Sequence, residues 1–209
     1  VGRSTVKRSP ASEISSLTAR LGHGNILAAA IEIFTKKGLD ATRVEDLLVA
    51  AKVARRTFYR HFRSKEDVLV MLYEFASSEL LTLVGRAIET TGDPLEAIHM
   101  GADVYLDYHS SNAALLRVMV EQSLRSESQL APLRRLFRER LIGMLKSALE
   151  GVGKPVDAKL LIALLSALEG LSLELLQKGA PADEIERTKE TMHVLLDRVL
   201  GLPARRSTR

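Results

Sequence analysis

The chain has 209 residues, 46% apolar and 27% charged, enough apolar surface for one or two folded domains and too much for a disordered chain. It contains no cysteine, which excludes disulfides, zinc–thiolate sites and cysteine nucleophiles together. The net charge of +4 is uneven: residues 1–70 hold 13 Lys+Arg against 7 Asp+Glu, so the first third is the part suited to a polyanion.

Residues 1–22, with Arg3, Lys7 and Arg8 among serines, show no apolar periodicity and read as a flexible basic arm. From His23 the pattern turns helical, with Ile26, Leu27, Ala30, Ile33 and Phe34 on one face and Gly38 as the stop. Thr42 with Glu45 has the spacing of a capping box and opens a short helix to about Ala51. A second short helix follows from Arg55 to about Phe62, and Ser64 with Asp67 caps a long helix running toward Thr90. Gly92-Asp93-Pro94 breaks the chain, with Pro94 in the first turn of a helix to about His109. Further helices are predicted near 112–125, 132–150, 157–178 and 182–200, separated by Ser-, Gly- and Pro-containing links. No segment alternates like a strand, so the fold class is all-α, with about nine helices. No uninterrupted apolar run reaches membrane-spanning length and no hydrophobic signal segment opens the chain, so a cytoplasmic protein with no membrane partner is expected.

The chemistry concentrates in residues 42–69, TRVEDLLVAAKVARRTFYRHFRSKEDVL. Val44, Leu47, Leu48 and Ala51 form one apolar face, while Phe58 and Phe62, four apart, pack inward with Val53. Two short helices joined only by Lys52-Val53-Ala54 must cross steeply, which makes a helix-turn-helix. The second helix turns Arg55, Arg56, Thr57, Tyr59, Arg60 and His61 away from the core, a thin cationic rod of the kind the DNA major groove admits. Arginine at the start of such a helix can bind guanine through a bidentate fork. Lys65, at the start of the next helix, can hold a phosphate.

The stretch from Ile26 to about Glu74 resembles the DNA-binding region of the tetracycline-repressor (TetR) family, with ILAAAIEIFTKKGLDAT, VEDLLVAAKVARRTFYRHF and SKEDVL in order and at matching spacing. The resemblance implies contacts to the DNA backbone from Thr42, Arg43, Thr57, His61 and Lys65, and to a phosphate or thymine methyl from Tyr59. Three positions depart from the family pattern: Leu48 where a small residue is usual, Lys52 where glycine is usual, and Ala54 where serine often caps the recognition helix. Lys52 must therefore take a left-handed conformation or the turn must shift.

The expected organisation is an arm (1–22), a three-helix helix-turn-helix DNA-binding domain (23–69), a helical ligand-binding and dimerisation domain (70–203) and a basic tail (204–209). The segment 157–178 is apolar on nearly every side, so a partner subunit or the chain's own core must cover it. Leu161, Leu164, Leu165, Leu168, Leu171 and Leu175 are the candidate homodimer contacts there, with Met192, Leu195, Leu196 and Val199 on the last helix. A two-fold dimer presents two recognition helices, so its partner should be double-stranded DNA carrying a palindromic operator. The resemblance also implies a small-molecule pocket, for which Tyr105, Tyr108, Met119, Gln122 and Met144 are the candidate lining. With aromatics at 4%, an aliphatic or mixed ligand is favoured. His99, Asp103 and Asp107 share one helix face, more in keeping with a solvated polar stripe than a metal site, and no metal or cofactor is expected. No nucleophile–base set or phosphate-binding glycine loop is present, so an enzyme is not expected. The expected function is a DNA-binding regulator, a repressor released by a small molecule. The rival readings are a regulator or scaffold controlled by a protein partner without a small ligand, and an all-helical enzyme.

Overall fold

The computed structural model describes residues 23–150 and 157–200, and the expected arm (1–22) and tail (204–209) lie outside them. Among the described residues there are nine α-helices and no strand: α1 (Gly24–Lys37), α2 (Val44–Ala51), α3 (Arg55–His61), α4 (Lys65–Glu89), α5 (Pro94–Ser111), α6 (Ala113–Ser123), α7 (Leu130–Glu150), α8 (Ala158–Lys178) and α9 (Ala182–Val199).

Local chemistry sets most of these ends. Gly38 closes α1 at φ 75°, donating its N–H to the Phe34 carbonyl. Asp93 accepts from the Leu95 N–H at 2.9 Å with Pro94 in the first turn of α5, and Asp157 accepts from the Lys159 N–H at 2.7 Å to start α8. Ser64 caps α4 through the Asp67 N–H while the Asp67 carboxylate accepts from the Arg63 N–H. The expected Thr42–Glu45 box is shifted by one residue: the Arg43 N–H donates to Asp46 Oδ2 at 2.7 Å, and Thr42 is turned inward, its hydroxyl donating to the Gly38 carbonyl at 2.6 Å.

The described residues fall into two compact units. One holds the chain to Ser77 together with Ala114–Ala131, and so takes α1–α3, the first half of α4 and α6; the other holds Ser78–Ala113 and the chain from Pro132. In the first unit α1 packs on α2, and Leu27, Phe34, Leu47, Phe58, Leu69 and Leu72 are fully buried. In the second, α5, α8 and α9 pack on one another.

The face of α5 that carries His99, Asp103 and Asp107 is not a solvated stripe. It forms an antiparallel ladder with α9: His99 pairs with Asp197 at 2.9 Å, Asp103 with His193 at 2.7 Å and Asp107 with Lys189 at 2.6 Å. The His99 and His193 rings stack at 4.4 Å between the rungs. Sequence spacing put the three residues on one face, but their partners lie some 80 to 100 positions away.

The reading that nothing reaches membrane-spanning length is also corrected. Helices α4 and α8 are each long and apolar enough to cross a membrane by length and composition. Neither is an uninterrupted apolar run, but such a span tolerates one or two charges.

Candidate nucleic-acid interface and ligand cavity

Helices α2 and α3 are joined by three residues, and the joint turns on Lys52, which sits at φ 55° and ψ 43°. Its left-handed backbone lets the Val53 N–H reach the Leu48 carbonyl at 3.1 Å, closing α2 where the family uses glycine. Leu48 itself is half-buried and does not displace the turn. A side chain in this conformation costs of order 1 kcal/mol relative to glycine. Lys52→Gly is therefore expected to stabilise the protein by roughly 1 kcal/mol, read as a higher urea midpoint at unchanged slope. An unchanged or lower midpoint would show that Lys52 compensates its strain with contacts of its own.

Phe58, with no exposed surface, and Phe62 anchor α3, their rings 5.8 Å apart. The helix starts at Ala54 without a side-chain cap, the Ala54 carbonyl accepting from the Thr57 and Phe58 N–H groups. The opposite face carries exposed Arg55, Arg56, Tyr59, Arg60 and His61, with Thr57 half-buried. Arg55 is engaged twice: Nη1 meets Glu45 Oε1 at 3.0 Å, and its guanidinium lies 5.5 Å from the Tyr59 ring centroid. Both members of the ion pair are mostly exposed, so the pair is weak and easily exchanged for another anion. The spacing that suggests Glu45 as a cap gives no sign of this pairing, because Arg55 stands ten positions on, across the turn.

Two of the expected backbone contacts sit differently. Lys65 spends its ammonium on the carbonyls of Leu39, Asp40 and Thr42, at 2.7, 3.2 and 2.7 Å, so in this form it staples the α1–α2 loop to the start of α4 rather than facing solvent. Thr42 is buried, as described, whereas Arg43 is exposed. The same loop is held from the link after α6, where Arg125 Nη2 meets Asp40 Oδ2 at 2.9 Å and keeps the Asp40 carboxyl below its usual range.

The second unit holds a partly open apolar cavity of about 60 Å³. Tyr105 and Met144 line it, together with Val84, Ala102, Leu141 and Leu165 among others. The remaining candidates lie elsewhere. Tyr108 is buried with its hydroxyl donating to Glu79 at 2.9 Å, and Met119 and Gln122 belong to the first unit, where α6 places them. Chain order put α6 among the body helices, but its contacts put it with α1–α3. A wider open groove of about 780 Å³ runs between α4 and α7. Its signal in the sequence was the pair of mid-helix glycines Gly85 and Gly143, which went unread.

The single chain's own packing divides the expected dimer contacts. Leu161, Leu164, Leu165, Leu168 and Leu175 on α8, and Met192 and Leu196 on α9, are already buried within the single chain. The outward face of α8 carries Ile162, 46% exposed, beside Ala163, Ser166 and Gly170, and α9 turns out Val194, 51% exposed. Leu171, Leu195 and Val199 are half-buried. An all-round apolar helix does not reveal from sequence which side its own subunit covers.

Comparison with known proteins places these features. The model for "Bacterial regulatory proteins, tetR family" matches residues 26–72, the segment holding α1, α2, α3 and the start of α4. The HTH-type transcriptional activator FasR of Mycolicibacterium smegmatis is 25% identical over 108 residues, 52% of this chain and 49% of FasR, so the match spans about half of that relative. The nucleoid occlusion factor SlmA of Vibrio atlanticus is 30% identical over 146 residues, covering 62% of this chain and 71% of SlmA. Among solved structures, a transcriptional regulator from Rhodococcus sp. Rha1 superposes with a TM-score of 0.72 at 21% identity, over 85% of this chain and 97% of that one, a likeness of fold.

Proposed function

The chain belongs to the tetR family of bacterial regulatory proteins, and we propose that it is a homodimeric repressor that holds a palindromic operator through α2 and α3 and is released from it by a small molecule bound in the second unit. The observation that carries the DNA-binding half is the outward face of α3, where Arg55, Arg56, Tyr59 and Arg60 stand exposed around a helix anchored by Phe58. Such a helix is thin enough for the major groove, and its first turn brings arginine to the base edges. Arg56 is the principal base reader. Arg55 exchanges Glu45 for a base or phosphate on binding, Tyr59 and His61 meet the backbone, and Lys65 acts by fixing the loop from which Arg43 reaches the phosphates. The second copy packs on the outward faces of α8 and α9, where Ile162 and Val194 are exposed. The small molecule acts by favouring a dimer whose recognition helices no longer match successive major grooves, which requires unequal affinity for the two states.

A binding assay on operator variants tests this. Arg56→Ala is expected to relax discrimination at one base pair per half-site by about 1–3 kcal/mol while binding remains steeply salt-dependent. Unchanged base preference in both Arg55→Ala and Arg56→Ala would remove these residues from the reading head.

A second reading, a DNA-binding regulator that answers to a protein partner and no small ligand, is favoured by the small size of the cavity and by the likeness to nucleoid occlusion factors. Operator binding that no small molecule alters, but that a co-purifying protein does, would select it.

A further inference from the structure

We infer that the second unit takes a ligand with one long unbranched hydrocarbon chain and an anionic head, that the chain enters tail-first from the α4–α7 groove past Met144, and that the head stays outside at Arg140. This rests on the proposed small-molecule control and names the ligand class and its route.

The cavity dictates the tail. No charged side chain lines it, and the phenol of Tyr105 is the single polar group among the lining side chains, so a buried polar head would lack partners there. At about 60 Å³ the cavity is far below the roughly 300–1,000 Å³ of pockets that hold drug-sized ligands, so it is no preformed slot for a ring system. A chain one methylene wide needs the least rearrangement to extend into it, because it lengthens the cavity without widening it.

The route follows from the wall between cavity and groove. Ile88 and Met144 line both spaces. Met144 is unbranched and adaptable, able to swing where a β-branched side chain could not. Facing it on α4 is Gly85, where a Cβ would lie 3.1 Å from Met144 Cε, so the missing side chain is what gives the methionine its present place. On α7, Gly143 is exposed, with open space where its Cβ would be. Moving one flexible side chain joins the two spaces.

The head follows from the groove. Outside Met144 the walls turn polar, with the hydroxyls of Ser78, Thr82 and Ser147 and the guanidinium of Arg140. Glu89 also lines the groove, so head charge is the point to test. Arg140 is exposed and makes no ion pair among the described residues, and Ser78 and Ser147 bring hydroxyls to the same groove, while the Thr82 hydroxyl donates to the Ser78 carbonyl at 2.9 Å.

The test is calorimetric titration of the full chain with saturated carboxylates from hexanoate to tetradecanoate, below their micellar concentrations, with operator release measured in parallel. Affinity is expected to tighten about fourfold per added methylene before levelling off. Dodecanoate should bind about tenfold more tightly than dodecanol, and dodecyltrimethylammonium most weakly. Arg140→Gln should bring dodecanoate and dodecanol level. Gly85→Val and Gly143→Val should each weaken dodecanoate at least tenfold; Gly143→Val adds bulk only in open space, so it keeps the test valid if Gly85→Val fails to fold. Affinity independent of chain length, preference for the cationic amphiphile, or full binding by Gly143→Val would overturn the inference. If the carboxylates bind in this pattern without releasing DNA, the inference stands and the release reading falls; if none binds while an unrelated compound releases the operator, the reverse holds.

Discussion

Phe58→Ala is expected to abolish operator binding without touching any residue proposed to contact DNA. Phe58 has no exposed surface and with Phe62 holds α3 in place, the Tyr59 ring edge-on to it at 5.3 Å and Phe62 at 5.8 Å. Removing a buried phenyl ring costs about 3–5 kcal/mol. That compares with a total stability of about 5–15 kcal/mol for a typical domain, so the helix bearing Arg55 and Arg56 would lose its fixed orientation first. Phe58→Leu, which keeps most of the volume, should retain binding. The check is a pair of measurements on each variant, a urea midpoint and an operator titration. Tight, sequence-specific binding by Phe58→Ala would mean that α3 is oriented by something other than its buried face.

The second large effect is on pH. His109 is buried, stacked on Tyr105 with ring centroids 4.1 Å apart, and its Nδ1–H donates to the Tyr105 carbonyl at 2.9 Å. Burial lowers its pKa from 6.5 to about 4, against the smaller raising effect of that hydrogen bond. The folded protein thus holds a neutral imidazole that the unfolded chain protonates below pH 6.5. Its contribution is fully present above pH 6.5 and is lost as pH falls toward 4, a span worth about 3 kcal/mol. Unfolding free energies measured from pH 7 to pH 4 should fall less steeply for His109→Gln than for the parent chain. Parallel curves would mean that His109 protonates equally in the folded and unfolded states. Because Tyr105 also lines the cavity, the same protonation would disturb the cavity wall.

Many of the helix ends and the anchoring of α3 were legible in the sequence because their determinants are local. Gly38, Asp93-Pro94, Asp157 and the Phe58–Phe62 spacing each act within a turn or two, and the helices they bound appear close to where periodicity put them. Lys52 is the same kind of case: three residues between two helices force a tight turn, and the left-handed backbone follows. What was not legible depends on partners distant in sequence. Nothing near Lys65 indicates that its ammonium meets the loop carbonyls of Leu39, Asp40 and Thr42, and nothing near Arg55 points to Glu45. Met119 and Gln122 look like body residues until α6 is seen to pack in the first unit. Helix α8 shows the limit most clearly, since uniform hydrophobicity says that a helix is covered but not by what: Leu161 and Leu165 face their own core, and Ile162 between them in register faces out.

The central claim, a dimeric reader of specific DNA, is tested most directly by incubating the purified full-length chain with a random double-stranded DNA pool, recovering the bound fraction over successive rounds and sequencing it. The account expects enrichment of an inverted repeat whose half-sites are spaced by about one helical turn, with guanine at the positions facing Arg56 and Arg55. Recovery of sequences no different from the starting pool, or of a motif without two-fold symmetry, would contradict it.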